Sequence, residues 1–190
     1  MKLMSGLLFF AALVTGGATL AAEVEGVRID DKIRVANADL ALNGAGLRKR
    51  AFFKVYAMGL YVPQKSSNAA ALLEQPGPKR VAIHMLRDVS ADAFNEALAD
   101  GIRANHSDAD VKALEPRIKE LGAIISQVGE AKKGMAIHLD WTGSETQVLV
   151  QGKPTGKPIA GQDFYRALLR VWLGDKPVQD DLKKALLGGG

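Results

Sequence analysis

Gly44-Ala45-Gly46-Leu47-Arg48, followed by the aromatic run from Phe52 to Val62, is the stretch of this chain from which the fold is best predicted. Asn43–Gly46 is expected to form a turn, because glycine adopts positive φ without steric cost. Leu47–Val62 then predicts one strand that ends at Pro63. Apolar side chains fall on both faces of that strand, so we expect it to be central and covered on both sides.

The segments on either side predict further strands and several helices. Val24–Ala36 predicts a hairpin of two short strands, with Asp30, Asp31 and Lys32 between them. Alternation predicts strands over residues 80–87, 135–141 and 146–151. Helical spacing and capping residues predict helices over 66–74, 90–104 with Ser90 as N-cap, 114–128 with Pro116 near its first turn, 163–173 and 180–187. This order predicts an α+β fold, an antiparallel sheet with helices on one side.

The N-terminal 22 residues have the pattern of a secretory signal peptide. Lys2 precedes the apolar run Gly6–Val14, and small residues follow before Glu23. That run is too short to cross about 30 Å of hydrocarbon. We therefore expect a signal peptide at 1–22, a domain at 23–190 and a periplasmic or secreted protein. No integral membrane segment is expected after signal cleavage.

Charge and residue usage argue against several classes of function. Lys and Arg number 25 against 21 Asp and Glu, a net charge of +4, and no basic run has interleaved aromatics, so no nucleic-acid partner is expected. His84, His106 and His138 are far apart in sequence and the chain has no Cys, so we expect no metal site and no cofactor. A nucleophile elbow and a phosphate-binding loop are also missing from the sequence.

Arg48 is the candidate for binding chemistry. A guanidinium at the start of a central strand grips a carboxylate or phenolate through two parallel hydrogen bonds if its face looks into a cavity. The alternative is that Arg48 and Arg50 both lie at the sheet edge in water. Spacing alone leaves these two possibilities open.

Four segments carry a resemblance to the chalcone isomerase family. They are residues 44–48, 59–62, 79–90 and 164–178, which occur in order over nearly the whole mature chain. The sequence is most similar to the exported bacterial chalcone isomerase-like proteins. The resemblance implies an open-faced β-sandwich, in which a large antiparallel sheet and a layer of helices enclose a cleft.

The resemblance also implies a site around Arg48. The plant enzymes close a flavanone ring by intramolecular conjugate addition, with an arginine that holds the attacking phenolate, and Arg48 matches that arginine. The other family positions differ, because the strand threonine falls on Tyr56, the helix-start tyrosine on Phe94, the helix asparagine near Gly101 and the late-helix serine or threonine near Val171. Each missing oxyanion donor typically costs about 2.7–4 kcal/mol, so we expect little isomerase activity.

The leading interpretation is a noncatalytic protein that binds a small amphipathic acid, since noncatalytic members of the family bind fatty acids. A carboxylate or phenolic ligand would be anchored by Arg48, with Tyr56 as its hydrogen-bonding neighbour. The apolar wall is expected to comprise Phe52, Met58, Met85, Phe94, Leu98, Val171 and Trp172.

Two other functions remain open. One is an isomerase of the intramolecular lyase type that acts on an enone or enolate, with Arg48 as its catalytic residue. The other is an envelope protein-interaction module, in which side chains fill the cleft or Arg48 pairs with an internal carboxylate such as Asp88 or Asp140.

Overall fold

The structure, a computed structural model, describes residues 21–189. The predicted signal peptide lies outside the described residues except for Ala21 and Ala22. The strands are β1 (Ala22–Val24), β2 (Val27–Ile29), β3 (Lys32–Val35), β4 (Ala38–Arg50), β5 (Phe53–Val62), β6 (Lys79–Met85), β7 (Ala136–Trp141), β8 (Glu145–Val150), β9 (Lys153–Pro154) and β10 (Ile159–Ala160). The helices are α1 (Ala69–Glu74), α2 (Ala91–Ala104), α3 (Asp108–Val128), α4 (Gln162–Leu173) and α5 (Asp180–Leu186).

The main sheet is antiparallel throughout, in the order β10-β8-β7-β6-β5-β4-β3, with β9 paired to β8. The short strands β1 and β2 form a separate ribbon. The fold is therefore α+β, as predicted. No helix within residues 21–189 combines the length and the apolar character needed to cross a bilayer.

The core lies mainly between the sheet and the helices. The larger apolar cluster joins β5, β6 and β7 to α2, α3 and α4, and α4 contributes its fully buried Phe164, Leu168 and Trp172. A smaller cluster around Ile29 and Tyr61 lies on the opposite face, where the β1–β2 ribbon packs. The central strand β5 is thus covered on both faces, which confirms that prediction.

Local capping signals located the helices well. The Ser90 hydroxyl accepts a hydrogen bond from the Ala93 amide at 3.3 Å and starts α2 at the predicted place. Helix α4 ends at Gly174, also as predicted. Helix α3 begins earlier than predicted, because Ser107 caps it through the Asp110 amide, and Pro116 consequently lies inside the helix rather than near its first turn.

The predicted turn at Asn43–Gly46 is wrong, because these residues lie within β4. Helix α5 packs directly on this part of the strand. A Cβ atom at Gly44 would overlap with the Ala185 carbonyl oxygen, and one at Gly46 would lie 2.8 Å from Ala185 Cβ. The glycines are therefore required by the close approach of a helix, and not by a turn.

Two other strand predictions are corrected. Residues 47–62 form two strands, because the chain turns at Ala51 and Phe52, where Ala51 has a φ of +53°. The hairpin of two strands predicted over 24–36 is also wrong, because a turn at Glu25 and Gly26 divides the first strand into β1 and β2, and β2 does not pair with β3. Strand β2 pairs with β1, and β3 pairs with β4.

Candidate ligand-binding site

A cavity of about 500 Å³ opens between the sheet and the helices α2 and α4. This volume is within the range of small-molecule sites. The apolar part of its lining includes Val55, Phe94, Leu98, Val171, Trp172 and Val178. Arg48 and Tyr56 supply polar atoms to the wall, and Arg50, Arg87, Asp88 and Ser90 also line it. The site thus combines a mostly apolar wall with a few polar groups.

Arg48 lies in the cavity wall, half-buried, directly across the strand pair from Tyr56. Its Nη1 donates to the Lys49 carbonyl and lies 3.4 Å from Gln179 Oε1. No carboxylate among residues 21–189 lies within ion-pair distance of it. The guanidinium also approaches the Tyr56 hydroxyl, and it has five N–H donors, more than these contacts use, so donors remain for an external anion.

The Gln179 side chain forms hydrogen bonds with the backbone on both sides of Arg48. Its Oε1 accepts from the Lys49 amide at 2.7 Å, and its Nε2 donates to the Leu47 carbonyl at 3.1 Å. These bonds clamp the strand on both sides of Arg48. Since Gln179 directly precedes α5, the same contact connects that helix to the binding site.

The Tyr56 hydroxyl is the second polar group of the wall. It is buried and accepts a hydrogen bond from Trp172 Nε1 at 2.8 Å. Burial raises the pKa of Tyr56 above its ordinary value, although the Trp172 hydrogen bond and the charge of Arg48 act in the opposite direction. Tyr56 is therefore protonated at neutral pH, and its O–H donates to no acceptor in the described part of the chain.

The two side chains make a site suited to an oxyanion. A positive guanidinium and a neutral hydroxyl donor occupy opposed positions on neighbouring strands, beside an apolar cavity. Charge-assisted hydrogen bonds to a carboxylate or phenolate are strong in such surroundings. The apolar wall next to them suits the hydrocarbon part of an amphipathic ligand.

Most of the residues predicted to form the site lie together. Arg48, Tyr56, Phe94, Leu98, Val171 and Trp172 all line the cavity. Met58 and Met85 do not line it, and each is about 1% exposed inside the larger core cluster. Phe52 also lies outside the cavity, because it forms the tip of the β4–β5 hairpin and is 84% exposed.

Apart from Tyr56, the positions where the family pattern has polar side chains lack them here. Phe94 and Val171 present hydrocarbon to the cavity. Gly101 lies where α2 meets α4, and a Cβ atom added to it would be 2.7 Å from Val171 Cγ1. The space that a polar side chain would need at Gly101 is therefore occupied by the packing of the two helices.

Some residues of the site were not identified from the sequence. Gln179 had no sequence signal, because it meets Arg48 only through the tertiary fold. Val55, Ala97 and Val178 also line the cavity. The spacing of Ala97 from Phe94 on one helical face is a signal that could have located it.

Asp88 and Asp140, the two carboxylates considered as internal partners of Arg48, bind other groups instead. Asp140 accepts two hydrogen bonds from Arg80, at 2.6 and 2.5 Å. Asp88 accepts from the Lys133 amide at 2.7 Å and lies 3.6 Å from Lys132 Nζ. The rings of His84 and His138 are 6.2 Å apart, and residues 21–189 contain no cluster of three or more His, Cys, Asp or Glu that could hold a metal ion.

Comparisons with known proteins agree with the fold. No curated protein matches the chain. Among solved structures, a fatty-acid binding protein of Arabidopsis thaliana has a similar fold, with a TM-score of 0.67 and 14% sequence identity, over 85% of this chain and 92% of that one. The family model described as chalcone isomerase-like matches residues 21–188. This protein therefore belongs to the chalcone isomerase-like family.

Proposed function

We propose that the protein is a noncatalytic binding protein for a small amphipathic acid of the fatty-acid type. The observation that carries the proposal is Arg48, a half-buried guanidinium with no carboxylate partner among the described residues, at the wall of a mainly apolar cavity. Placing a cation beside an apolar cavity without a counter-ion is costly unless an anion comes from outside the chain.

The similarity in fold to a fatty-acid binding protein supports the same ligand class. In this arrangement the ligand carboxylate accepts hydrogen bonds from the Arg48 guanidinium and the Tyr56 hydroxyl. The hydrocarbon part lies against Phe94, Leu98 and Val171. The absence of polar side chains at Phe94, Gly101 and Val171, three of the family's polar positions, supports a role in binding rather than in catalysis.

The test is calorimetric titration with hexadecanoic acid and with hexadecanol, which has the same chain and no charge. We expect Arg48→Ala to weaken binding of the acid by about tenfold to a hundredfold, the loss of one charge-assisted hydrogen-bonded contact. Binding of the alcohol should change little. Arg28→Ala, at an exposed arginine on β2 paired to Asp30, is the matched control and should bind the acid like the wild type.

Two results would contradict the proposal. Wild-type protein that binds neither compound would favour the interaction module. Conversion of a chalcone to a flavanone, slowed at least tenfold by Arg48→Ala, would favour the isomerase.

We further propose that the mature chain is exported to the periplasm, on the basis of the pattern in residues 1–22. Cell fractionation and N-terminal sequencing test this. Recovery from the periplasm of a chain that begins at Ala22 or Glu23 is the expected result, whereas a full-length cytoplasmic chain would contradict it.

A further inference from the structure

The tip of the β4–β5 hairpin exposes two large apolar side chains. Phe52 is 84% exposed and Phe53 is 47% exposed, and their ring centroids are 4.4 Å apart. No other large hydrophobic side chain among residues 21–189 is as exposed as these two. The transfer of aromatic rings of this size from water to apolar surroundings is favourable. An adjacent exposed pair therefore indicates a surface that binds an apolar partner.

The geometry of the turn holds Phe52 away from the protein. Arg50 and Phe53 are paired in register, so only Ala51 and Phe52 form the turn. Ala51 has a φ of +53°, in the left-handed region that residues other than glycine seldom adopt. Phe52 is therefore at the apex of the hairpin, and not packed back onto the sheet.

Basic residues surround the two phenylalanines. Lys49 and Arg50 precede the turn, Lys54 follows it, and the Arg87 guanidinium carbon lies 4.4 Å from the Phe53 ring centroid. We call residues 49–54 together with Arg87 the hairpin tip. In the described part of the chain, Lys49, Arg50 and Arg87 have no carboxylate within ion-pair distance.

Neighbouring acidic groups form no ion pair with Lys49, Arg50 or Arg87. Glu25 is 2.5 Å from Lys54, and Asp88 lies 3.6 Å from Lys132 Nζ, which also pairs with Glu130. Glu96 and Asp100 line a depression along α2 that Arg48 and Arg50 also line, and neither lies within ion-pair distance of those arginines. The hairpin tip is thus an apolar apex within a positively charged border, which complements an anionic surface with an apolar interior.

The hairpin tip is also part of the cavity entrance. Arg50, Ala51, Phe53 and Arg87 all belong to the cavity lining. A surface that contacts the tip therefore meets the opening of the binding site.

We propose that the hairpin tip docks the protein on an anionic phospholipid bilayer, with Phe52 and Phe53 in the acyl boundary and Lys49, Arg50 and Arg87 at the lipid phosphates. The entrance of the cavity then faces the bilayer, and an amphipathic acid passes between the two. That last step rests on the proposed function, whereas docking itself does not. A protein partner is less well matched, because two phenylalanines and their border offer little of the area that a stable protein interface buries.

Vesicle sedimentation of the ligand-free protein tests the docking. We expect the wild type to sediment with vesicles of phosphatidylglycerol and phosphatidylcholine in equal parts. Binding to pure phosphatidylcholine should be weaker, and about 0.5 M salt should reduce binding to the anionic vesicles because it screens the basic side chains.

Three variants test the assignment of residues. Phe52→Ser should weaken partition to anionic vesicles by about tenfold, since it removes a side chain that would otherwise be buried in lipid. Arg50→Glu should weaken partition by about tenfold or more through charge reversal. Lys112→Glu, on α3 and outside both the hairpin tip and the cavity lining, makes the same change in net charge and should bind like the wild type.

Folding and lipid insertion can be checked separately. Phe52 is so exposed that Phe52→Ser should unfold at the same urea concentration as the wild type. Phe52→Trp places a fluorophore at the apex, and its emission should shift to shorter wavelength when anionic vesicles are added. An unshifted spectrum would show that the apex remains in water and would overturn the proposal.

The experiment separates docking from acid binding. We expect Arg48→Ala to keep vesicle binding while it loses the acid, and Phe52→Ser to keep acid binding in solution while it loses the vesicles. Vesicle binding by a protein that takes up no acid would leave docking intact and remove the proposed function. Wild-type protein that ignores anionic vesicles, or that forms a dimer dependent on Phe52, would overturn the docking proposal.

Discussion

At the scale of single residues, Tyr56 connects the ligand site to the core. Its hydroxyl oxygen accepts from Trp172 Nε1, and Tyr56 lines the same cavity as Arg48. A buried indole N–H that loses its acceptor costs about 1–3 kcal/mol. One hydroxyl therefore satisfies a core donor while remaining able to donate to a ligand.

A double-mutant cycle measures this hydrogen bond. Tyr56→Phe should lower the free energy of unfolding by about 1–3 kcal/mol, because Trp172 Nε1 is left without an acceptor. After Trp172→Phe, which removes that donor, the same change at Tyr56 should cost distinctly less. Urea denaturation of the four proteins gives the coupling energy. Strictly additive losses would mean that the two side chains do not interact.

At the scale of elements, the contact between β4 and α5 positions the site. Gly44 and Gly46 allow the helix to lie against the strand, and Gln179, next to the start of α5, binds the strand around Arg48. The glycine-containing segment thus acts through packing that is distant in sequence. The orientation of Arg48 depends on where α5 lies.

Replacing Gly44 with alanine should destabilise the protein. The new Cβ would meet the backbone of α5, 2.7 Å from the Leu186 carbonyl oxygen, so the helix must shift, at a cost of about 1–3 kcal/mol. Gly122→Ala is the control, because its Cβ meets Asn95 at 3.8 Å and alanine favours the helix by about 1 kcal/mol. Thermal unfolding should therefore shift down for the first variant and up for the second. Equal shifts would exclude a specific contact at Gly44.

At the scale of the whole molecule, the sheet face opposite the main core contains ionisable groups. Burial, together with the charges of Arg80 and His84, lowers the pKa of His138 to about 4. Burial also lowers the pKa of His84, which Asp30 partly offsets. Arg80 is paired with Asp140 beside them. The folded protein therefore keeps His138 neutral at pH values where an unfolded chain protonates it.

The sign of the pH dependence follows from this difference. Between about pH 6.5 and 4 the unfolded chain binds a proton at His138 that the folded chain does not, so stability falls as the pH falls through this range. The slope is at most about 1.4 kcal/mol per pH unit, and solvent around the partly buried ring reduces it. His138→Gln should flatten the dependence over this range while leaving stability at about pH 8 nearly unchanged. Unchanged slopes in urea unfolding would contradict the assignment.

The sequence by itself was sufficient for the features that depend on local signals. The Ser90 cap and the Gly174 stop placed α2 and α4, because both act on amides and carbonyls within one turn of the helix. Alternation placed β7 and β8 for a similar reason. The α+β class and the chalcone isomerase-like family were also predicted, since the order of the elements and the segments of resemblance are properties of the chain itself.

Only the tertiary structure decided how those elements meet. The sequence pattern predicts a turn at the glycines near Arg48, because a local pattern does not distinguish glycine needed for positive φ from glycine needed under the backbone of α5. Whether Arg48 lies in a cavity depends on residues far along the chain. Gln179 contacts Arg48, and Trp172 lines the same cavity. For the same reason the sequence predicts Met58 and Met85 in the cavity wall, although they lie in the core. Side-chain spacing defines a face, but the elements that pack on that face determine whether it meets core, cavity or water.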